Sequence, residues 1–384
     1  MRAKSWIKTV VAACLLALTC TPAWAQTIKI AVAAPLTGPA ASYGENIKSG
    51  VETKIEEFNA AGGVNGVPVE VAYFDELCEP REAAVVAPRI VGDEDIVGVV
   101  GHVCSSAHLA ALPTYVRMGM PVISPTATNV NISQQNTDNQ GKVWSFRNVY
   151  RDDYQGYFLA HYVKDILQLE KVAVFYENND YGIGLKNAFV EEAKNIDLNV
   201  VGEEGYVKGA TDFAPQLTRL RGADPDGLFI SGYYNEGALI AAQAENLGMD
   251  VVKFGADGLD NVDYINLAGD AANNTYMTVP FLAEAAPEHA QDFIRKFEEK
   301  YQRDLDWMSA NAYDAAGKFV AAVTAVGTDR AAIRDYLASI NSPDNAYIGI
   351  TGPTFFNEFG DPEKSAFVKM VKDGAFTAAP EQMQ

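Results

Sequence analysis

Short apolar runs alternate with longer segments whose apolar residues recur every three or four positions, and this continues along most of the chain. Residues 28–34, 69–74, 96–100 and 122–123 are β-like runs. Between them, residues 43–60 carry Ile47, Val51, Ile55 and Phe58 at helical spacing, with Gly62-Gly63 and Asn65-Gly66 punctuating the end. Further helices are predicted over 81–91 and 106–116. A second series begins after Arg147-Asn148, with helices over 154–167, 184–194, 213–220 and 236–247. Its strands are predicted at 171–175, 200–206, 227–230, 252–256 and 276–279. After Val279-Pro280 the pattern turns helical, near 290–301, 310–326 and 331–339. Such β-α-β-α alternation predicts α/β architecture with parallel sheets covered by helices on both faces. No repeat of solenoid length and no low-complexity linker interrupts it. Two doubly wound lobes joined by short crossings are expected.

The N-terminal segment reads differently. Arg2, Lys4 and Lys8 precede the apolar stretch 9–19, and Ala23-Trp24-Ala25 supplies small residues at cleavage positions. Residues 1–25 therefore read as a secretory signal cleaved after Ala25, leaving Gln26 first in an exported, periplasmic protein. The apolar stretch is too short to span a bilayer stably, and Leu18-Thr19 is a poor context for lipidation of Cys20. About 360 residues remain, a length that suits two lobes better than one core. The net charge of −20 becomes −23 once the three leader cations are removed, which argues against nucleic acid and anionic membranes as partners. Cys78 and Cys104 survive maturation. In an oxidising compartment an even pair reads as a disulfide closing a loop of about 27 residues, worth roughly 3–4 kcal/mol. Two free thiols and a metal site are the alternatives. The metal reading is the poorest, for there is no C-x-x-C and only four histidines, His102, His108, His161 and His289. No cofactor or metal is expected.

Two polar loops at predicted strand ends carry the candidate chemistry. Gly101-His102-Val103-Cys104-Ser105-Ser106 follows 96–100, and Ser124-Pro125-Thr126-Ala127-Thr128 follows 120–123. In open α/β sheets such loops lie at the carboxyl edge, where ligands bind. Ser105 is placed to cap the following helix. With hydroxyls and free N–H groups at a helix start it also suits a carboxylate, while Thr126, Ala127 and Thr128 offer a hydroxyl, an N–H and a carbonyl. Together the loops match the two ends of a zwitterion. In the second series Asp180-Tyr181-Gly182, residues 231–236 with Tyr233 and Tyr234, and Ala256-Asp257-Gly258 also follow strands. Tyrosines there can stack on an aliphatic ligand and an Asp can neutralise an ammonium. Ordinary loop packing is the competing reading for the tyrosines, and a helix N-cap before 261–267 for Asp257. Enzyme signatures are missing: no G-x-S-x-G, no Walker loop, no H-E-x-x-H, and Gly182-Ile183-Gly184 lacks the third glycine of a dinucleotide fingerprint. His102 near Ser105 does not by itself make a nucleophile. The chain does not read as an enzyme.

Several stretches in order resemble one family. These are Pro35-Leu36-Thr37-Gly38-Pro39 with Tyr43-Gly44, residues 59–66, Asp75 with Cys78-Glu79-Pro80, and the two polar loops. Further on come Tyr181-Gly182 with Gly184, Thr211-Asp212-Phe213 with Leu217, Ser231-Gly232-Tyr233 and residues 355–360. Together they span nearly the whole mature chain. The set resembles the periplasmic leucine/isoleucine/valine-binding proteins, of the type I solute-binding fold that feeds ATP-driven importers. The resemblance implies that Ser105, Thr126 or Ala127, and Thr128 hold the ligand's carboxylate and ammonium, with Tyr181 and Tyr233 closing from the second lobe. It implies an ammonium partner at Asp257, where the family usually has Glu. Tyr43, Val103, Cys104 and a residue at Trp307-Met308, taken as Met308, would line the side-chain pocket, where the family often has an aromatic residue. It also implies a Cys78–Cys104 disulfide and three crossings between lobes. The lobes are then expected at 26–146 with 281–362 and at 147–280 with 363–384.

The resulting expectation is a monomeric exported binding protein that closes on one amino acid, foremost Leu, Ile or Val, and docks on a membrane permease. The alternatives keep the fold and change the ligand to another amino acid, an amide, a polyamine or an aromatic carboxylate, or make the chain a sensor for a receptor partner.

Overall fold

The computed structural model describes residues 27–383. The leader, its cleavage site after Ala25 and Cys20 lie outside them. The first sheet is all parallel, in the order β2-β1-β3-β4-β5. Its strands are β1 (Ile28–Ala34), β2 (Val69–Asp75), β3 (Ile96–Gly101), β4 (Val122–Ser124) and β5 (Ser145–Arg147). The connecting helices are α1 (Ala41–Ala60), α2 (Pro80–Gly92), α3 (Ser105–Met118) and the single turn α4 (Asn131–Gln134). Every residue of β3 is buried, as expected of a parallel strand covered on both faces.

The second sheet is built from α5 (Asp152–His161), β6 (Lys171–Glu177), α6 (Asp180–Asn195), β7 (Asn199–Tyr206), α7 (Ala214–Arg221), β8 (Gly227–Ser231), α8 (Tyr234–Asn246), β9 (Val252–Gly255), α9 (Val262–Ala268) and β10 (Thr275–Val279). The chain then returns to the first lobe as α10 (Gln291–Tyr301), α11 (Trp307–Val326) and α12 (Arg330–Ser339), with α11 packed along α1 and against β3. After the small ribbon β11 (Tyr347–Gly349) and β12 (Gly352–Thr354) it crosses once more, and β13 (Phe367–Lys372) adds antiparallel to β10 and β14 (Ala375–Ala378) antiparallel to β13. The second sheet's order is β14-β13-β10-β9-β8-β6-β7. Two doubly wound lobes joined by three crossings result.

Both sheets reverse their winding beside their first strand, between β1 and β3 and between β6 and β8, and an open α/β sheet binds ligands at that reversal. The two reversal points face one another. Within the first lobe the backbone packs closely at two glycines. A Cβ on Gly101, whose φ is +142°, would sit 2.2 Å from the Ala33 carbonyl oxygen, and one on Gly50 would sit 2.1 Å from that of Ser309. Strand β5 and the β11–β14 segments escape the sequence pattern. Three of these strands are only three residues long, and β14 is four residues of mixed exposure. Among the described residues no helix is long and apolar enough to cross a membrane, and no cluster could hold a metal ion.

Candidate functional site

A cavity between the lobes is lined by Tyr43, Val103, Ser105, Thr126, Thr128, Tyr181, Tyr233, Asp257, Gly258, Trp307 and Met308. Its empty space, counted out toward solvent, is about 260 Å³. Because that figure includes open solvent, the enclosed space is smaller still, and only a small molecule fits.

One end is a set of donors. Ser105 is the first residue of α3, and Cys104, not Ser105, is its N-cap. The expected capping bond is absent because Ser105 is already inside the helix. Its Oγ accepts instead from the Asn129 N–H at 3.3 Å, which leaves the hydroxyl hydrogen available. His108 donates its N–H to the carbonyl of the N-cap Cys104, so the N–H groups before it present the helix's positive end.

The same cavity also holds acceptors. Asp257 opens a 3-10 turn after β9 and is buried. Its Oδ1 accepts from the Tyr181 hydroxyl at 2.7 Å, while Oδ2 has no hydrogen-bond partner. Asn261, not Asp257, caps α9 through its side chain, because the 3-10 turn places Asp257 four residues too early. Burial raises the Asp257 pKa to about 7, opposed by the Tyr181 hydrogen bond and by the nearby Gln155 amide and Gly258 N–H, while nearby Asp260 pushes the same way as burial. The Thr128 hydroxyl is also buried without a partner. Asp152, behind Thr128, is buried with both carboxylate oxygens unpartnered, and burial pushes its pKa well up. Asp152 and Gln155 were not singled out in the sequence. They stand at the start of α5, where an acidic first turn is ordinary helix chemistry, and only the fold brings them near Asp257.

The structure thus brings Ser105, Thr126, Thr128, Tyr181, Tyr233, Asp257, Tyr43, Val103 and Met308 to one cavity. It leaves out Ala127 and Cys104. The Ala127 N–H is held by the Ser124 hydroxyl at 2.9 Å, its carbonyl accepts from Arg147, and its methyl packs with Leu112 and Ile132. Cys104 is turned away by its disulfide to Cys78. Arg147 organises this loop from behind: buried, it donates to the Asn129 carbonyl at 2.8 Å and to Asp361 at 2.7 Å. Thr126 spends its hydroxyl on the Val103 carbonyl at 2.8 Å. His102 faces the core, bonded to Tyr115 at 2.9 Å, and forms no pair with Ser105. Sequence reading placed Trp307 and Gly258 beside the site without choosing them, and both are in the wall.

Aromatic rings close the cleft. Tyr181 stacks on Tyr233 with centroids 5.1 Å apart, both at helix starts, since α6 begins four residues and α8 two residues earlier than the apolar spacing suggests. Tyr43 packs edge-on against Tyr233 and Tyr234 and donates its hydroxyl across the cleft to the Gly258 carbonyl at 2.5 Å. Other bonds also cross. Tyr234 and Asn235 donate to the Pro39 carbonyl, Asn129 to the Asp180 carbonyl, and Ser106 accepts from the Asp180 N–H. Lys208 reaches the carbonyls of Leu77 and Cys78 at 3.2 and 3.0 Å and the Glu79 carboxylate at 2.6 Å. This is a closed cleft.

Donors at the start of α3 and the buried Asp257 carboxylate, lining one small cavity, can hold a small zwitterion. Such donors and acceptors around a small cavity suit the binding of a small molecule. Comparison with known proteins agrees. The model of the periplasmic binding protein family matches residues 27–375. The chain belongs to that family. Among its curated relatives, the leucine-, isoleucine-, valine-, threonine- and alanine-binding protein of Pseudomonas aeruginosa is 31% identical over 338 residues, covering 88% of this chain and 87% of the relative. The leucine-binding protein of Thermotoga maritima has a TM-score of 0.85 at 29% identity, covering 92% of this chain and 98% of that one. The branched-chain amino acid transporter substrate-binding protein of Streptococcus pneumoniae, solved with isoleucine, also has a TM-score of 0.85, at 30% identity and with 93% and 99% covered. As a periplasmic binding protein, the chain has its cleft where the fold class places ligands.

Proposed function

We propose that this periplasmic binding protein is exported, loses residues 1–25, and as a monomer captures a branched-chain α-amino acid (Leu, Ile or Val) between its lobes for delivery to the permease of an ATP-driven importer. The observation that carries the reading is the unpartnered Asp257 Oδ2, lining one small cavity together with the hydroxyls of Thr128 and Ser105. The ligand's carboxylate meets the Ser105 hydroxyl and the start of α3. Its ammonium meets Asp257 and Thr128, and its side chain lies along Val103, Met308 and Tyr43. The lobes, taken as 26–146 with 281–362 and 147–280 with 363–384, open by bending at the three crossings. The relatives' ligands support an amino acid, and the buried carboxylate supports an amine-bearing ligand over a plain carboxylate.

Calorimetry on ligand-stripped protein tests this. One-to-one binding of leucine, isoleucine or valine with no heat from their des-amino acids is expected. Binding of the des-amino acids alone would overturn the role of Asp257 and with it the amino-acid reading.

A further inference from the structure

A side chain outside the cavity wall also bears on the Asp257 carboxylate. Gln155, on α5, is fully buried, and its amide donates to the Tyr150 hydroxyl at 2.9 Å and to the Thr278 hydroxyl at 3.0 Å. Tyr150 stands on the stretch from β5 to α5, where the chain first passes between the lobes, and Thr278 on β10, just before it passes back. The same amide stands near the Asp257 carboxylate and favours its charged form against burial. Three acceptors thus share two amide hydrogens, and the charged one draws them most strongly. The Gln155 Oε1 finds no donor, so the amide is oriented by its N–H groups alone.

We infer that Gln155 is a positioning residue for ligand capture: fixed by Tyr150 and Thr278, its amide holds the Asp257 carboxylate ready for the ligand's ammonium. The inference rests on the amino-acid reading above. Gln155, Thr278 and Asp257 all belong to the second lobe, so their arrangement does not depend on closure. The titratable groups that face Asp257 are Tyr181 from α6, Tyr233 before α8, Tyr43 from α1, Tyr150 before α5, Asp152 at its start and Asp260 in the same turn. Burial raises all four tyrosines, which therefore stay neutral, and Asp152 and Asp260 repel the charge on Asp257. The groups that favour that charge are the Tyr181 hydroxyl, the Gly258 N–H and the Gln155 amide.

Calorimetry of leucine binding across a pH series, on stripped wild type and Gln155→Met, tests it. Methionine fills a similar volume, and the Tyr150 and Thr278 hydroxyls can then serve each other. Without the amide, the pH at which leucine affinity falls to half its alkaline value should rise by about half a unit or more. Above about pH 8.5 the variant should bind within about threefold of wild type. A loss by the same factor at every pH would mean a purely structural role and overturn the inference, as would a variant indistinguishable from wild type. In NMR spectra of stripped wild-type protein, the Gln155 side-chain amide signals should follow the titration of Asp257. This readout does not depend on the variant folding, and amide signals that ignore pH through that range would overturn the inference equally. In each of these cases leucine still binds wild type and the amino-acid reading stands. Failure of wild type to bind any amino acid would overturn both.

Discussion

Replacing Asp257 with Asn separates binding from stability, because the two should move in opposite directions. In the wild-type cavity Oδ1 is held by the Tyr181 hydroxyl and Oδ2 waits for a partner. An ammonium there makes a charge-assisted bond to a desolvated carboxylate. Losing it costs about 1.5–3 kcal/mol, or roughly 10- to 150-fold in affinity. The carboxylate must be ionised to do this, and burial raises its pKa to about 7. Wild-type affinity should therefore fall about tenfold between about pH 8 and about pH 6 as Asp257 takes up a proton, and the Asn variant should lack that slope.

The stability effect has the other sign. Near the ordinary carboxyl pKa of 3.8 and below, folded and unfolded chains both hold the proton; between there and about 7 only the folded chain does. Ligand-free stability thus falls as pH rises through that window and stays low above it. For this one residue the loss is on the order of 4 kcal/mol at most. Asp152 and Glu177, also raised by burial, slope the same way, so the informative quantity is the difference between wild type and variant. Urea titration of stripped protein, with calorimetry at both pH values, reads both effects. A variant that binds leucine within about threefold of wild type at pH 8, or that keeps the wild-type pH slopes, would refute the reasoning.

Lys208→Met should weaken ligand binding about two- to fivefold, chiefly by faster release, because the clasp on Leu77, Cys78 and Glu79 exists only when the lobes meet and is partly solvated; stopped-flow fluorescence reads it, and an unchanged release rate would dismiss the clasp. Reducing the Cys78–Cys104 disulfide, which joins residues 26 positions apart, should lower stability by roughly 3–4 kcal/mol, seen as a shift in urea midpoint between oxidised and reduced protein. Gly50→Ala should destabilise by about 1–3 kcal/mol, since its Cβ would meet the Ser309 carbonyl where α1 and α11 touch; a thermal midpoint equal to wild type would mean that the contact relaxes freely.

Much of this protein is local information. The alternation of apolar runs and helical periods is a property of neighbouring residues, so the two α/β series, their order and most of their elements follow from residue spacing. Loops after parallel strands must emerge on one edge, which is why the loops carrying Ser105, Thr128, Tyr181 and Asp257 could be singled out before any coordinates, while the choice of Tyr233 came from the family resemblance. What a side chain does once it arrives is not local. Ala127 sits in the right loop, but Ser124 and Arg147 consume its backbone groups, and the Arg147 partner Asp361 lies 214 positions away. Cys104 faces its disulfide, Ser105 is one residue too far into α3 to cap it, and Asp152 and Gln155 gain meaning only from what surrounds them. Hydrogen-bond satisfaction and desolvation depend on every group within a few ångströms, whatever its place in the chain. The sequence by itself therefore determined the class of fold and which loops meet, while only the tertiary structure decided which of their atoms remain free for a ligand.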